Sequence, residues 1–484
     1  MPSPRNPAGV VHLTAEYWPF AQTGGLGQAV AGLAAHQARS GLPTTVIVPL
    51  YRDVRRSGAA LERVGEPLAV TMGALREELQ VWRLAVADGE PCVMFLDHAA
   101  AFDREGLYGE AGSDYADNAR RFGLFSLAAL EWVARLGGAA PVVHAHDWHA
   151  AFAPVYLRTT HAGRAEYDRL PCVLSVHNAG FQGHFARDTL AVLGLPDWLW
   201  SLDRMEWYDR LNLLKGGLLY ADMCTTVSPT HAVELRTEVG GFGLHDVFTG
   251  LGDRFVGIRN GIDEMVWNPA ADGQITARFT ADDLGGKVKC KAALQRGWGL
   301  PQRAATPVFG MSARLVTQKG FDIILESASL ATTDAQFVFL GSGEERYHDA
   351  LAALAAAHPD RIAVNFGFTD RLEHRVLAGA DFLLMPSLYE PCGLTQMRAQ
   401  LYGALPLARR VGGLADTITD GVTGILFDGY TPADFDRAVA RAVAVFRDGP
   451  VWREHVRAAM RRSFSWDEPA AQYCDLYRRA LAEH

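Results

Sequence analysis

The feature that most restricts how this chain can fold is an alternation that runs along it twice. Short apolar segments rich in β-branched residues are each followed by a longer stretch with helical spacing. That order builds parallel sheets with helices packed on both faces. In the first half the strands are expected at 10–14, 44–49, 93–96, 142–145, 172–176 and 224–227, with a glycine turn at 24–27, an Ala-rich helix over 28–39 and Gly41 closing it. Residues 260–296 mix Asn, Asp, Pro, Gly and Lys with little periodicity, and the alternation then resumes with strands at 308–311, 337–340, 362–366, 382–385 and 405–408. Two α/β domains follow, divided near 245–260. The tail from 432 to 484 reads as wholly helical, with Trp466, Tyr473, Leu476 and Tyr477 at core-facing spacing. Open sheets of this kind bind ligands beyond the carboxyl ends of their strands, so chemistry is sought in the loops that leave them.

Composition narrows the function. A chain of 484 residues is long enough for two such domains. Its 46 basic against 55 acidic residues leave a net charge of −9, which argues against nucleic acid or an anionic membrane as partner. The six cysteines (Cys92, Cys172, Cys224, Cys290, Cys392 and Cys474) include no CxxC pair, so a zinc ribbon or a disulfide framework is disfavoured and a reducing compartment fits. The first nine residues are polar and Pro-rich, without a signal pattern, and the most apolar long window, 122–143, contains Glu131 and Arg135. A cytoplasmic protein is expected.

Five loops can carry chemistry. Gln22-Thr23-Gly24-Gly25-Leu26-Gly27 lets backbone approach a phosphate ahead of a helix N-terminus. It departs from the dinucleotide fingerprint, because Val30 stands where a small residue belongs and the second strand ends in Pro49-Leu50-Tyr51 rather than an acid. His144-Ala145-His146-Asp147-Trp148-His149 invites a metal reading, but no second cluster of ligands accompanies it, and a polar sugar or acceptor site is preferred. His177-Asn178, followed by Gly180 and Gly183, is a sugar hydroxyl or carbonyl contact, against the plainer reading of a satisfied core histidine. Arg314 and Lys319 flank a turn that opens a helix, a compact cation pair suited to a diphosphate. Finally, Tyr389-Glu390-Pro391-Cys392-Gly393-Leu394-Thr395 sets a carboxylate beside a row of backbone donors; as a nucleophile Glu390 would need a second acid, which the motif lacks.

Taken in order, these loops resemble the bacterial glycogen synthase and plant starch synthase family of retaining glycosyltransferases. Further matches are Leu214-Lys215-Gly216-Gly217, Val227-Ser228-Pro229, Asn260-Gly261-Ile262-Asp263, Trp267-Asn268-Pro269 and Gly412-Gly413-Leu414-Ala415-Asp416-Thr417. The resemblance implies the GT-B fold: two Rossmann-like doubly wound domains, 1–250 and 251–460, facing across a cleft, with a C-terminal helix, 461–484, crossing back to the first. It implies glucose transfer from a nucleotide sugar, ADP-glucose in most bacterial members, to the non-reducing end of an α-1,4-glucan or maltooligosaccharide, with no cofactor and no metal. Carried over by motif, Arg314, Lys319, Glu390 and His177 are catalytic. Gln22, Gly24, Gly25, Asn260, Tyr389, Cys392, Gly393, Leu394 and Thr395 bind the donor, and Asp147, Trp148, His149 and Asn178 lie on the acceptor side.

Two positions depart from the family pattern: Gln22 replaces its Lys and Gln28 its Asp. A hydrogen bond to a charged group is worth roughly 1.5–3 kcal/mol, so the lost ammonium weakens donor handling without abolishing transfer. The competing readings are a related glycosyltransferase with another nucleotide sugar or acceptor, and a catalytically silent glucan-binding homologue.

Overall fold

The computed structural model describes residues 7–110, 112–136, 140–168 and 170–483. The first six residues of the polar start, 137–139 of the apolar window and His484 of the tail lie outside the described residues. The chain divides into two compact units: Met1–Gly261 together with Trp466–His484, and Ile262–Ser465.

In the first unit, strands β1 (Val10–Leu13), β2 (Thr44–Pro49), β3 (Leu61–Met72), β4 (Leu75–Leu84), β5 (Cys92–Asp97), β6 (Val142–His146), β7 (Cys172–Val176), β8 (Met223–Thr226) and β9 (Phe255–Gly257) form one sheet. Their order is β9-β8-β7-β6-β1-β2-β5-β4-β3. The first seven in that order pair in parallel, and β3–β4 adds an antiparallel hairpin on β5. The order reverses at β1, which pairs with β2 on one side and β6 on the other. Alternate residues of a strand share a face. Val10, Val142 and Val173 therefore lie on one side with Leu33 of helix α1 (Gly25–Arg39), while Val11, Val143 and Leu174 lie in the larger cluster on the other side. Helix α2 (Asn118–Leu136) packs into that larger cluster through Phe122, Phe125 and Leu130. No described helix is long and apolar enough to cross a membrane.

The second unit holds a six-stranded parallel sheet: β10 (Val308–Ser312), β11 (Gln336–Leu340), β12 (Ile362–Asn365), β13 (Phe382–Met385), β14 (Leu405–Arg409) and β15 (Ile425–Phe427). The order β12-β11-β10-β13-β14-β15 reverses between β10 and β13. Stacked Phe309, Phe337 and Phe382 tie these central strands together, with ring centroids 5.0 and 5.3 Å apart.

Several expectations are corrected. The division falls at Gly261/Ile262 rather than near 250, because β9 extends the first sheet beyond β8. Within 260–296 the structure has a helix, α3 (Gly285–Gly297), starting at Gly285. Its buried face carries Lys287 and Lys291 as well as Cys290 and Leu294, which erases the apolar period. Lys287 Nζ donates to the carbonyls of Ala380 (2.9 Å) and Tyr402 (2.8 Å), and Lys291 pairs with Asp381 at 2.7 Å, so the ammoniums are satisfied inside. The described part of the helical tail is three helices, α4 (Pro432–Arg447), α5 (Gly449–Met460) and α6 (Asp467–Ala482), broken at Asp448 and again where the chain leaves the second unit at Ser465. The terminal segment of the first unit thus begins at Trp466 rather than 461, and α6 buries Tyr473, Leu476, Tyr477 and Ala480 beside Val10, Val142, Val173 and Met223. Helix α1 starts at Gly25, so the expected glycine turn supplies its first residues.

Candidate functional site

In doubly wound sheets the loops on either side of the strand-order reversal splay apart and leave room for a ligand. In the second unit these are the loops after β10 and β13. The first passes Arg314 into a short turn, Thr317–Lys319, that Gly320 closes at φ 80°. The second runs from Ser387 to Leu394. Lys319 Nζ donates to Glu390 Oε2 at 2.6 Å, and Ser387 Oγ donates to the same oxygen at 3.1 Å. The loops are stitched by Leu388 N–H to the Gln318 carbonyl (2.8 Å) and by Gln318 Nε2 to the Tyr389 carbonyl (3.3 Å). Glu390 Oε1 takes no hydrogen bond, and the exposed Arg314 side chain has no partner, among the described residues. Of the residues named from sequence, the fold joins Lys319 to Glu390, an anchored carboxylate with one open oxygen, while Arg314 stands exposed earlier in the loop that carries Lys319.

Beyond Glu390 the chain is pressed against Gly412 and Gly413. A Cβ on Gly413 would stand 2.5 Å from the Cys392 Cα, and Gly413 N–H donates to the Glu390 carbonyl at 3.1 Å. Only glycine permits that approach. Gln396 Nε2 holds the carbonyls of Cys392 (2.9 Å) and Gly393 (3.0 Å), so Gly393, at φ +71°, Leu394 and Thr395 enter the next helix without a side-chain cap.

In the first unit the reversal lies between β1 and β6. The loop after β1 is tied to Glu16, a buried acid that sequence reasoning missed. Its Oε1 accepts from Thr23 Oγ1 and Tyr108 OH, both at 2.7 Å, and its Oε2 from Thr23 N–H at 2.9 Å. This leaves Gln22, Gly24 and Gly25 exposed, and Gly24 begins α1 with no side-chain cap. An acid three residues past a strand end and seven before Thr23 is the signal that could have found it.

After β6, Asp147 adopts φ +55°, a strained value for a residue with a side chain. Its Oδ1 accepts from His177 N–H at 2.6 Å and Asn178 N–H at 3.3 Å. Burial pushes its carboxyl up to about 7 against those two amides. The Asn178 side-chain oxygen accepts from Gly180 N–H at 3.0 Å, closing a turn. Trp148 and His149 are packing residues here: His149 stacks on Tyr108 at 4.5 Å, and Trp148 meets Phe122 edge-on at 5.4 Å. Burial drives His149 down to about 3, and its Nδ1 has no partner among the described residues. Asn260 is buried at the end of the first unit.

His177 Nε2 lies 3.0 Å from His146 Nδ1, and His146 Nε2 lies 2.9 Å from His12 Nδ1. Nitrogens of His12, His144 and His146 all fall within 4.8 Å of one another, the spacing of a metal site. Each is already used: His12 Nε2 faces Gln37 Oε1 at 2.8 Å, and His144 bonds Tyr477 OH at 2.8 Å and Ser175 Oγ at 2.7 Å. A cation would have to break this network to enter.

Residues 9–250 match the family described as starch synthase catalytic domain, and residues 299–445 match the group 1 glycosyl transferases. Over 476 residues the chain is 40% identical to the glycogen synthase of Syntrophotalea carbinolica, an alignment covering 97% of this chain and 98% of that one. It is 38% identical over 478 residues to glycogen synthase 2 of Geobacter sulfurreducens, with 97% and 98% covered. Among solved structures, the catalytic domain of starch synthase IV from Arabidopsis thaliana, bound to ADP and acarbose, superposes with a TM-score of 0.89 at 33% identity, covering 98% of this chain and 100% of that one.

Proposed function

We propose a division of labour for a chain that belongs to the glycogen synthase and starch synthase family and is a glucosyltransferase of that type. The donor is a nucleoside diphosphate glucose, ADP-glucose by the family resemblance, and the acceptor is the non-reducing end of an α-1,4-glucan. The Arabidopsis enzyme's complex with ADP and acarbose supports nucleotide and glucan binding. One observation carries the donor assignment: the Lys319–Glu390 pair, at 2.6 Å, whose lysine lies five residues after the exposed Arg314 in the loop that leaves β10.

Breaking the bond between glucose and phosphate leaves growing negative charge on the departing diphosphate. Arg314 offers it a bidentate fork and Lys319 a compact charge, stabilisation that is largest where it is prearranged. The Gly393, Leu394 and Thr395 amides add neutral donors, and Tyr389 and Cys392 frame the same loop. Glu390, with Oε2 held by Lys319 and Ser387, keeps Oε1 for glucose hydroxyls and so orients the ring rather than attacking it. The departing phosphate takes the acceptor's proton on the same face, which retains configuration without a protein nucleophile. In the first unit, Gly24, Gly25 and Gln22 contribute to the donor, while Asp147, His177 and Asn178 serve the acceptor side of the transferred glucose. Two cations do the neutralising, so no metal is needed. The six cysteines are all free, which fits work in the reducing cytoplasm.

The test is transfer of labelled glucose to glycogen and maltooligosaccharides, from ADP-glucose and UDP-glucose in parallel, with chelator present. Transfer from ADP-glucose at a rate unmoved by chelator is expected. Failure with both donors, in a folded protein that still binds glucan, overturns the reading.

A further inference from the structure

The histidines behind His177 form one continuous line of hydrogen bonds that the transfer chemistry uses only at its outer end. The strand period sets it up: His12 shares a face with Val10, His144 and His146 with Val142, and Ser175 with Val173, the face covered by α1 and α6. From α6, Tyr477 OH lies 3.1 Å from Gln37 Nε2. Gln37 Oε1, on α1, lies 2.8 Å from His12 Nε2, and the line continues through His146 to His177 at 2.9 and 3.0 Å. His12, Gln37, His144, His146 and Tyr477 are each no more than 1% exposed. Burial holds His12 near 4 and His177 near 3, with His144 and His146 well below the ordinary value, so every ring is neutral.

A neutral imidazole carries one N–H and one lone pair, so each ring's proton position dictates the next ring's. Gln37 Oε1 requires the proton of His12 on Nε2, leaving Nδ1 bare. His146 must then donate from Nε2, and His177 from Nε2 in turn. This leaves His177 Nδ1, which has no partner among the described residues, as an acceptor. The second branch runs in the same sense: Gln37 Nε2 donates to Tyr477, whose hydroxyl donates to His144 Nδ1, freeing His144 Nε2–H for Ser175. Turning the Gln37 amide over would reverse every proton along both branches.

We propose that Gln37, held by Tyr477 of the terminal helix, is a positioning residue that acts through His12 and His146 to fix His177 as the Nε2–H tautomer, presenting a bare Nδ1 to a donating sugar hydroxyl. The sugar contact rests on the assignment of His177 made above; the tautomer does not.

The full chain, labelled with 15N at histidine, tests both parts by long-range 1H–15N spectra, with the His177 signals identified by their loss in His177→Ala. Gln37→Glu, as a carboxylate, offers His12 only acceptor oxygens, whereas Gln37→Met keeps length and removes every polar atom of the side chain. Wild type and Gln37→Glu are expected to show His177 protonated at Nε2. Gln37→Met is expected to show mixed tautomers and to lose about tenfold in kcat, the worth of one hydrogen bond, with donor KM little changed. If Gln37→Met does not fold, Tyr477→Phe, which frees the Gln37 amide to turn, is read the same way. Persistence of a pure Nε2–H tautomer in the folded variant overturns the proposal, as does mixing in Gln37→Glu equal to that in Gln37→Met. Mixed tautomers with unchanged kcat uphold the relay and instead remove His177 from the sugar.

Discussion

Lys319 Nζ lies 2.6 Å from Glu390 Oε2, joining the two loops that leave the strands at which the second unit's sheet reverses order. The carboxylate side chain is only 7% exposed and Lys319 is its one cationic partner among the described residues, so each residue depends on the other. Lys319→Ala is expected to lower kcat/KM for the donor by about 10²–10³, the range seen when a prearranged charge stabiliser is removed. It also lowers the unfolding midpoint, by leaving Glu390 unpaired. Steady-state kinetics and thermal melts check this; a loss below about threefold would remove Lys319 from the transition state.

Arg314 is exposed and unengaged among the described residues, so its substitution separates binding from folding. Arg314→Ala should leave the melting temperature unchanged, as surface changes do. Inhibition by ADP should weaken by about tenfold or more, reflecting a lost charge-assisted fork. Arg314→Lys should recover only part of that. Calorimetric titration with ADP measures it.

Gln22 sits exposed in a loop that Glu16 and Thr23 hold in place. Gln22→Lys therefore adds a charge to a frame already built, and kcat/KM for the nucleotide sugar should rise by up to about tenfold, with stability unchanged. A fall in activity would mean that the loop is arranged for the neutral amide.

Acid should unfold the first unit early. Burial holds His12, His144, His146, His149 and His177 below the ordinary 6.5, so the stability they contribute is complete above that pH and is lost as pH falls towards 4. Asp147 acts in the opposite sense: its carboxyl, raised to about 7, favours the fold at low pH and loses that contribution as pH rises through 7. Five groups outweigh one. The melting temperature should drop between pH 7 and 5, with about four protons taken up from these groups on unfolding at pH 5. A melting temperature that holds or rises over that interval would contradict the buried neutral imidazoles.

Most of the parallel strands were legible because strands buried on both faces read as unbroken apolar runs, and β2, β7 and β13 have the expected bounds, whereas the three-residue edge strands β9 and β15 were not expected. Helix α3 was not, because two of its core positions are lysines whose charges are satisfied by carbonyls and an acid distant in sequence. The β3–β4 hairpin also escaped notice: its strands are half exposed and carry Glu and Arg between buried Leu68, Val70, Leu79 and Val81.

The candidate site divides in the same way. Which residue types leave which strand end is a local matter, and the sequence alone determined that Arg314, Lys319, Glu390, Asp147 and His177 follow the carboxyl ends of strands. Strand order is not local. Only the folded sheets place β10 beside β13, bringing Lys319 to Glu390 across 71 positions of chain, and only the pairing of β1 with β6 sets His12 against His144 in register. Glu16 as the anchor of the glycine loop and Gln37 with Tyr477 behind the histidines were decided there too, because a hydrogen bond between distant residues depends on which helix covers which face, and no spacing in a single chain records that.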